Sequence, residues 1–143
     1  MNIDGVNNGV VLDHIKAGKS MLVYEYLKLS KLKCCVALIQ NCQSPKMGLK
    51  DIVKIDELID IDLDMLGYID PGITVNYVKD GKLIGKKHLA LPETLTNVIR
   101  CRNPRCITST EQELPHIFRL VDREKRVYRC EYCDAVGDVK GLN

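Results

Sequence analysis

Four cysteines near the end of the chain limit what that part can fold into more than any other feature. Cys101-x4-Cys106 and Cys130-x2-Cys133 form two close pairs separated by 23 residues. Two tight turns that each offer a pair of sulfurs are the spacing of a tetrahedral four-thiolate zinc site. The stretches between and beside them, IFRLV (117–121) and RVYRC (126–130), alternate over only a few residues. A piece of about 45 residues with patterns this short rarely sustains a core without a staple. Zinc binding is then largely its folding energy, on the order of 10 kcal/mol in small zinc peptides. The predicted ligands are Cys101, Cys106, Cys130 and Cys133, holding one structural zinc per chain. Arg100, Arg102, Arg105 and Arg129 lie beside the knuckles, where they offset the net negative charge of four thiolates on a divalent ion.

Other uses of these cysteines fit less well. A closed four-sulfur site leaves no coordination position for water, which argues against catalytic zinc. A zinc deaminase needs His-x-Glu, and His14, His88 and His116 are followed by Ile-Lys, Leu-Ala and Ile-Phe. A redox Cys-x-x-Cys normally opens a helix, whereas CEYC follows a strand-like stretch. A stand-alone zinc ribbon binding nucleic acid is the alternative reading, since the arginines could meet phosphates. Against it stand a formal net charge of only +2 and the lack of interleaved aromatics, with no tryptophan and one phenylalanine. No candidate acid–base pair marks the chain as an enzyme. Cys34, Cys35 and Cys42 lie in or beside an apolar run and read as small core residues. The start, MNIDGVNNG, has neither the basic nor the apolar region of a secretory signal. Seven cysteines then suggest a reducing, cytoplasmic setting. No apolar run approaches the ~20 residues that span a bilayer, so no membrane partner is expected.

The preceding residues need no staple. VNNGVVLDHI (6–15) predicts a strand, and residues 19–31 place Leu22, Tyr26 and Leu29 at helical spacing, with Ser20 as the N-cap. CCVALIQ (34–40) is a short apolar run that predicts a strand buried on both faces. SPKMG (44–48) predicts a turn, and DIVKID (51–56) alternates like another strand. Residues 58–69 carry Leu63, Leu66 and Ile69 at i, i+3 and i+6, and Pro71-Gly72 ends that helix. ITVNYV (73–78), a turn at Lys79-Asp80-Gly81, and KLIGKK (82–87) make a hairpin. The expected fold is α+β: a ferredoxin-like antiparallel sheet with two helices on one face, followed by a small β-rich four-cysteine zinc domain. Pro92 interrupts the segment 89–99, which sets expected domains at 1–92 and 93–143.

The lysines of the first part carry a conditional message. If Lys50 and Lys54 lie in one extended strand, period 2 puts both on one sheet face, and Lys86 on a neighbouring strand could then converge with them on polyphosphate. On spacing alone they read more readily as solvated lysines, and Asp13-His14 as a surface pair or a satisfied histidine. Neither Gly-x-x-x-x-Gly-Lys nor Gly-x-Gly-x-x-Gly is present.

Taken in order, GVVLDHI (9–15), MGLKDIVKI (47–55), TVN (74–76), LPE (91–93), NV (97–98) and the four cysteines resemble the regulatory chain of aspartate carbamoyltransferase over nearly the whole length. The resemblance implies a non-catalytic subunit of pyrimidine synthesis. Its first domain would pair regulatory chains into homodimers and bind nucleoside triphosphates (ATP, CTP or UTP). Its zinc domain would dock on the aspartate carbamoyltransferase catalytic chain, within a dodecamer of six catalytic and six regulatory chains. The family's nucleotide contacts carry over to Asp13 and His14 near sugar and phosphates, to Lys50 and Lys54, and to the phosphate lysine Lys86. Asn76 and Val78 would lie around sugar and base, and Ile3, Asp4 and Val6 would line the base. Gly81 stands where well-known members carry a tyrosine toward the base. Arg105 and Ala135 replace the Asn and Lys often found at the catalytic interface.

Overall fold

A computed structural model describes residues 5–137. It divides into two compact units, Met1–Ala90 and Leu91–Asn143.

The first unit runs β1 (Gly9–Lys16), α1 (Ser20–Tyr26), β2 (Val36–Ser44), β3 (Gly48–Ile55), α2 (Leu63–Ile69), β4 (Thr74–Lys79) and β5 (Lys82–His88). All neighbouring strands are antiparallel, in the order β2-β3-β1-β4-β5. The first four form the split βαβ arrangement of a ferredoxin-like sheet, and β5 adds an edge. Period-2 alternation gives the strands two different faces. Val10, Leu12 and Ile15 of β1, Val53 and Ile55 of β3 and Val75 of β4 share one face and are fully buried. Val23 of α1 and Leu66 and Ile69 of α2 are also fully buried. α1 lies against β2, β3 and α2. The opposite face carries Val11, Ile52 and Val78, which cluster with Val6.

Both helices are shorter than the sequence predicts. Lys28 takes a left-handed φ of +55°, which ends α1 and leaves Leu29–Lys31 as a 3-10 turn. Ser20 does not cap α1; Lys19 stands at the cap position, its side chain donating to the Ile69 carbonyl at 3.2 Å instead of capping the helix, and Ser20 is the first helical residue. The capping acceptor comes from across the sheet. Asp51, on β3, accepts the N–H groups of Gly18 and Ser20 at 3.0 and 3.2 Å. α2 is capped locally, with Asp62 accepting the Met65 N–H at 3.0 Å.

The run 34–40 is not buried on both faces. Residues 36–40 open β2, an edge strand with largely exposed or half-buried side chains, and Cys34 and Cys35 precede it. Cys35 is exposed and Cys34 and Cys42 are half-buried, so the expectation of three core cysteines is corrected. Only Cys42 packs on the apolar cluster of the second sheet face. An edge strand lacks a neighbour on one side, and hydrophobicity alone does not reveal that position.

One close approach and one turn define the first unit further. A Cβ on Gly9 would lie 2.0 Å from the Ile55 carbonyl, so only glycine lets β1 start there. The β4–β5 hairpin turns on Asp80 (φ +52°) and Gly81 (φ +74°), the Asp-Gly signal of a two-residue turn.

The second unit is a four-stranded antiparallel sheet of β6 (Thr94–Thr96), β7 (Ile117–Asp122), β8 (Val127–Cys130) and β9 (Val136–Gly137), in that order. Leu95, Phe118 and Tyr128 are fully buried. A Cβ on Gly137 would come within 2.3 Å of the Phe118 ring, so glycine lets β9 close over it. The Tyr128 hydroxyl donates to the Pro92 carbonyl, and the Leu120 N–H donates to the Glu93 carbonyl at 2.8 Å. Residues 92–93 are thereby tied into this sheet.

Candidate functional site

The four predicted cysteines come together in the second unit. Their sulfurs all lie within 4.8 Å of one another. Cys101 and Cys133 are 3.6 Å apart, and Cys106 and Cys130 are 3.8 Å apart. These separations are far from the ~2.05 Å of a disulfide and match the ~3.8 Å edge of a tetrahedron with metal–sulfur bonds of about 2.3 Å. Cys106 and Cys130 are buried and Cys101 and Cys133 half-buried, so the site has an inner and an outer pair.

Protonation argues the same way. Burial pushes the Cys101 thiol up to about 12 and raises Cys130. Burial also acts upward on Cys133, but the Asn103 side chain, the Ala135 backbone and the thiols of Cys101 and Cys130 bring it down to about 7. Four thiolates packed this closely require a cation among them. The donor set is all sulfur and closed, which suits one structural zinc. Bound there, the ion supplies cross-linking of two chain segments and no chemistry of its own.

The knuckles are held by residues that cysteine spacing does not reveal. The Thr108 hydroxyl donates to Cys106 Sγ at 3.1 Å. Arg119 on β7 donates to the Cys130 carbonyl at 3.2 Å and pairs with Asp134. Arg129 donates to the Asp134 carbonyl at 2.9 Å. His116 Nδ1 accepts the Cys101 N–H at 3.0 Å. Arg119 and His116 lie more than ten residues from their partners, so only the β6–β7–β8 register brings them in.

In the first unit the predicted polar residues gather on the sheet face opposite the helices. Antiparallel pairing aligns Lys54 with Val11, Val11 with Asn76, and Asn76 with Lys86. That row crosses four strands, about 14 Å at ~4.8 Å per strand. The expectation that Lys86 neighbours the strand of Lys50 and Lys54 is corrected: β1 and β4 lie between β5 and β3, and Lys86 shares only the sheet face. Asp13 is 2% exposed and Lys50 7% exposed, with Lys50 Nζ 3.0 Å from Asp13 Oδ1. The Asn76 amide donates to the Val11 carbonyl at 3.2 Å. Val78 and Val6 belong to the apolar cluster beside this row. Ile3 and Asp4 lie outside the described residues.

A bulge aims the histidine. Asp13 and His14 together oppose the single residue Ile52 on β3, and His14 takes φ +59°. Its N–H donates to Asp13 Oδ1 at 2.7 Å, and its Nδ1 lies 3.2 Å from the Thr74 hydroxyl. Burial lowers the His14 pKa, Asp13 opposes this, and the charges of Lys50, Lys46 and Lys86 lower it further. Three ammonium groups therefore bear on one imidazole. Thr74 and Lys46 join the predicted set; Lys46 lies in the turn after β2, where sequence periodicity gives no facing.

Comparison with known proteins bears on both units. Residues 1–90 match the model of the aspartate carbamoyltransferase regulatory chain, allosteric domain. Residues 93–140 match that of the same chain's metal binding domain. The aspartate carbamoyltransferase regulatory chain of Clostridium acetobutylicum is 49% identical over 136 residues, covering 95% of this chain and 93% of the relative. That of Clostridium tetani is 48% identical, covering 95% of each. That of Bifidobacterium longum is 46% identical, covering 94% and 96%. Among the described residues, no helix is long and apolar enough to cross a membrane. The chain belongs to the family of aspartate carbamoyltransferase regulatory chains, which are non-catalytic subunits.

Proposed function

We propose that the first unit binds a nucleoside triphosphate (CTP, ATP or UTP) on the sheet face that carries Lys54, Asn76 and Lys86. The supporting observation is that the charges of Lys50, Lys46 and Lys86 all act on His14, while Lys54, Asn76 and Lys86 line up across one sheet face. Like charges gathered this way repel one another, and a polyphosphate relieves that repulsion while accepting their N–H groups. Lys86, at the exposed edge strand, and Lys46 take the outer phosphates. Asp13 holds Lys50 in place and, with His14, faces the sugar. Lys54, Asn76 and Val78 lie toward sugar and base, with Val6 at the base edge; Ile3 and Asp4 are assigned to the base by the family resemblance alone. Gly81 offers the base no side chain, because the left-handed turn at Asp80-Gly81 is built on glycine. Base preference in this chain therefore rests on the remaining contacts.

The zinc unit, on this reading, docks on the catalytic chain. Regulatory chains pair as homodimers, and six of each chain form a cytoplasmic dodecamer serving pyrimidine synthesis. Nucleotide binding controls the catalytic chains through a coupling free energy, typically about 1–3 kcal/mol. It does so only by binding one quaternary state better than the other.

Two measurements test the two halves. Calorimetric titration of the zinc-loaded chain with CTP is expected to show affinity reduced about tenfold or more in Lys86→Ala, the loss of one charge-assisted contact. Equal affinity would remove Lys86 from the site. Sedimentation of the same chain with the catalytic trimer of its own organism is expected to give a species of six plus six chains. Separate sedimentation with zinc content verified would defeat the docking reading.

A further inference from the structure

The pairing of β6 with β7 ends at Thr96–Ile117, but the hydrogen bonding continues. Asn97 takes a left-handed φ of +59°, a conformation that asparagine tolerates better than most residues. Turned this way, Asn97 holds His116 twice. Its N–H donates to the His116 carbonyl at 2.7 Å, and its side-chain oxygen accepts the His116 N–H at 2.9 Å. The imidazole so anchored accepts the Cys101 N–H at 3.0 Å through Nδ1. An accepting ring nitrogen carries no proton, so the ring hydrogen sits on Nε2.

The next residue serves the other knuckle. The Ile117 carbonyl accepts the N–H of Glu131, immediately after Cys130, at 2.8 Å. Residues 116–117 thus form a strut between the two cysteine pairs, with a backbone arm to one and a side-chain arm to the other. Only one rotatable bond, Cα–Cβ, separates a cysteine's backbone from its sulfur. A displaced Cys101 backbone therefore carries its sulfur with it. Cys101 is one of the two half-buried ligands, so packing restrains it less than it restrains Cys106 or Cys130.

We propose that His116 is a positioning residue for the metal centre: its Nδ1 fixes the Cys101 backbone, and so the Cys101 sulfur, in the geometry that retains the ion. This rests on the four cysteines being zinc ligands and extends it to a residue outside the ligand set. Groups that orient metal ligands in this way typically change metal affinity 10–100-fold when removed.

The test is zinc release from the zinc-loaded full chain into excess 4-(2-pyridylazo)resorcinol, followed as a first-order rate. Three variants separate positioning from bulk. His116→Asn places an amide oxygen close to where Nδ1 lies; His116→Gln carries its acceptor one bond further out; His116→Ala has none. Release is expected to be roughly tenfold faster or more in the Ala and Gln variants. In His116→Asn it is expected to stay within about threefold of the wild type, since the acceptor is restored. Equal rates in all four proteins, or an Asn variant as fast as Ala, would overturn the proposal. If His116→Ala takes up no zinc, the Asn variant alone decides, by retaining the ion or losing it. A wild-type chain that binds no zinc would overturn the metal centre itself, and this inference with it.

Discussion

In the first unit the large, fully buried side chains include Leu12, Ile15, Ile55, Leu66, Tyr68, Ile69 and Ile73, drawn from strands, helix and loop. In the second, among the described residues, they are Leu95, Phe118 and Tyr128, and two of its other buried residues are the ligands Cys106 and Cys130. One unit is held by apolar surface removed from water across a five-stranded sheet. The other fills the same need with sulfur, so its interior is incomplete until four thiolates share a cation. The difference shows why two units of one chain tolerate opposite changes. Sheet and helices supply many small, redundant contributions, whereas a metal centre supplies one large contribution that any single ligand can cancel.

The strongest test of that contrast is removal of the ion. Chelation, or Cys133→Ser, is expected to cost the second unit on the order of 10 kcal/mol and to unfold it. Hydrogen exchange resolved along the chain should lose protection from residue 91 onward while β1–β5 keep theirs. Loss of protection in both units would show that the first depends on the second, and the contrast would fail.

The same contrast explains what could be read from the amino acids alone. Cysteine spacing identifies the metal centre because four ligands in two knuckles are a local pattern. Strand and helix order in the first unit is also legible, since period 2 and period 3.6 act within a few residues. Features set by distant partners are hidden. Asp51 caps α1 from across the sheet, and nothing near residue 20 announces it. The apolar run at 34–40 predicts a buried strand, but its position at an edge depends on which strand β3 meets on its other side. The bulges at His14 and Asn41 place non-glycine residues at φ +59° and +60°, and the first decides where the histidine points. Lys54 and Lys86 can be assigned to strands from the sequence, whereas Lys50 stands just before the predicted strand 51–56 and joins it only in β3. Their common face with Asn76 follows only from register across β3, β1, β4 and β5.

Two glycines sharpen the comparison at the level of single atoms. Gly9→Ala drives a methyl group toward the Ile55 carbonyl, a backbone atom with no rotamer to change, and toward Val6 Cγ1 at 2.9 Å. Its cost is expected at or above the top of the roughly 1–3 kcal/mol usual for overpacking. The nearest atoms that Gly137→Ala meets belong to the Phe118 ring, a side chain and not backbone, and its cost is expected to fall within that range. Urea midpoints, read from protection in each unit separately, check both. The effect of Gly9→Ala should stay in the first unit. That of Gly137→Ala should stay in the second, and should grow when zinc is limiting. A smaller effect for Gly9→Ala than for Gly137→Ala would mean that β1 can shift away from β3, and that the first sheet is less fixed than its register implies.

Acid provides the mildest test, because it reaches each unit through a different group. Asp51 is buried, which by itself would raise its pKa. Hydrogen bonds from the Ser20 side chain and from the Asn41, Gly18 and Ser20 backbone outweigh burial and hold it below the ordinary carboxylate value. A carboxyl whose folded-state pKa is depressed contributes stability that is complete above the unfolded value and is lost as pH falls through the folded one. The first unit should therefore lose midpoint only as pH drops below the ordinary aspartate range, and gradually, since Asp51 is one group among many. In Asp51→Asn that part of the acid dependence should disappear, because the side chain no longer titrates, although the variant starts from a lower midpoint with donors facing an amide. The second unit should fail at higher pH than the first, because protons compete with zinc for the thiolates well above the carboxylate range. Region-resolved exchange during stepwise acidification would place the two losses in order. A first unit that fails together with the second, or an acid dependence unchanged in Asp51→Asn, would remove Asp51 from the groups that make the first unit acid-sensitive.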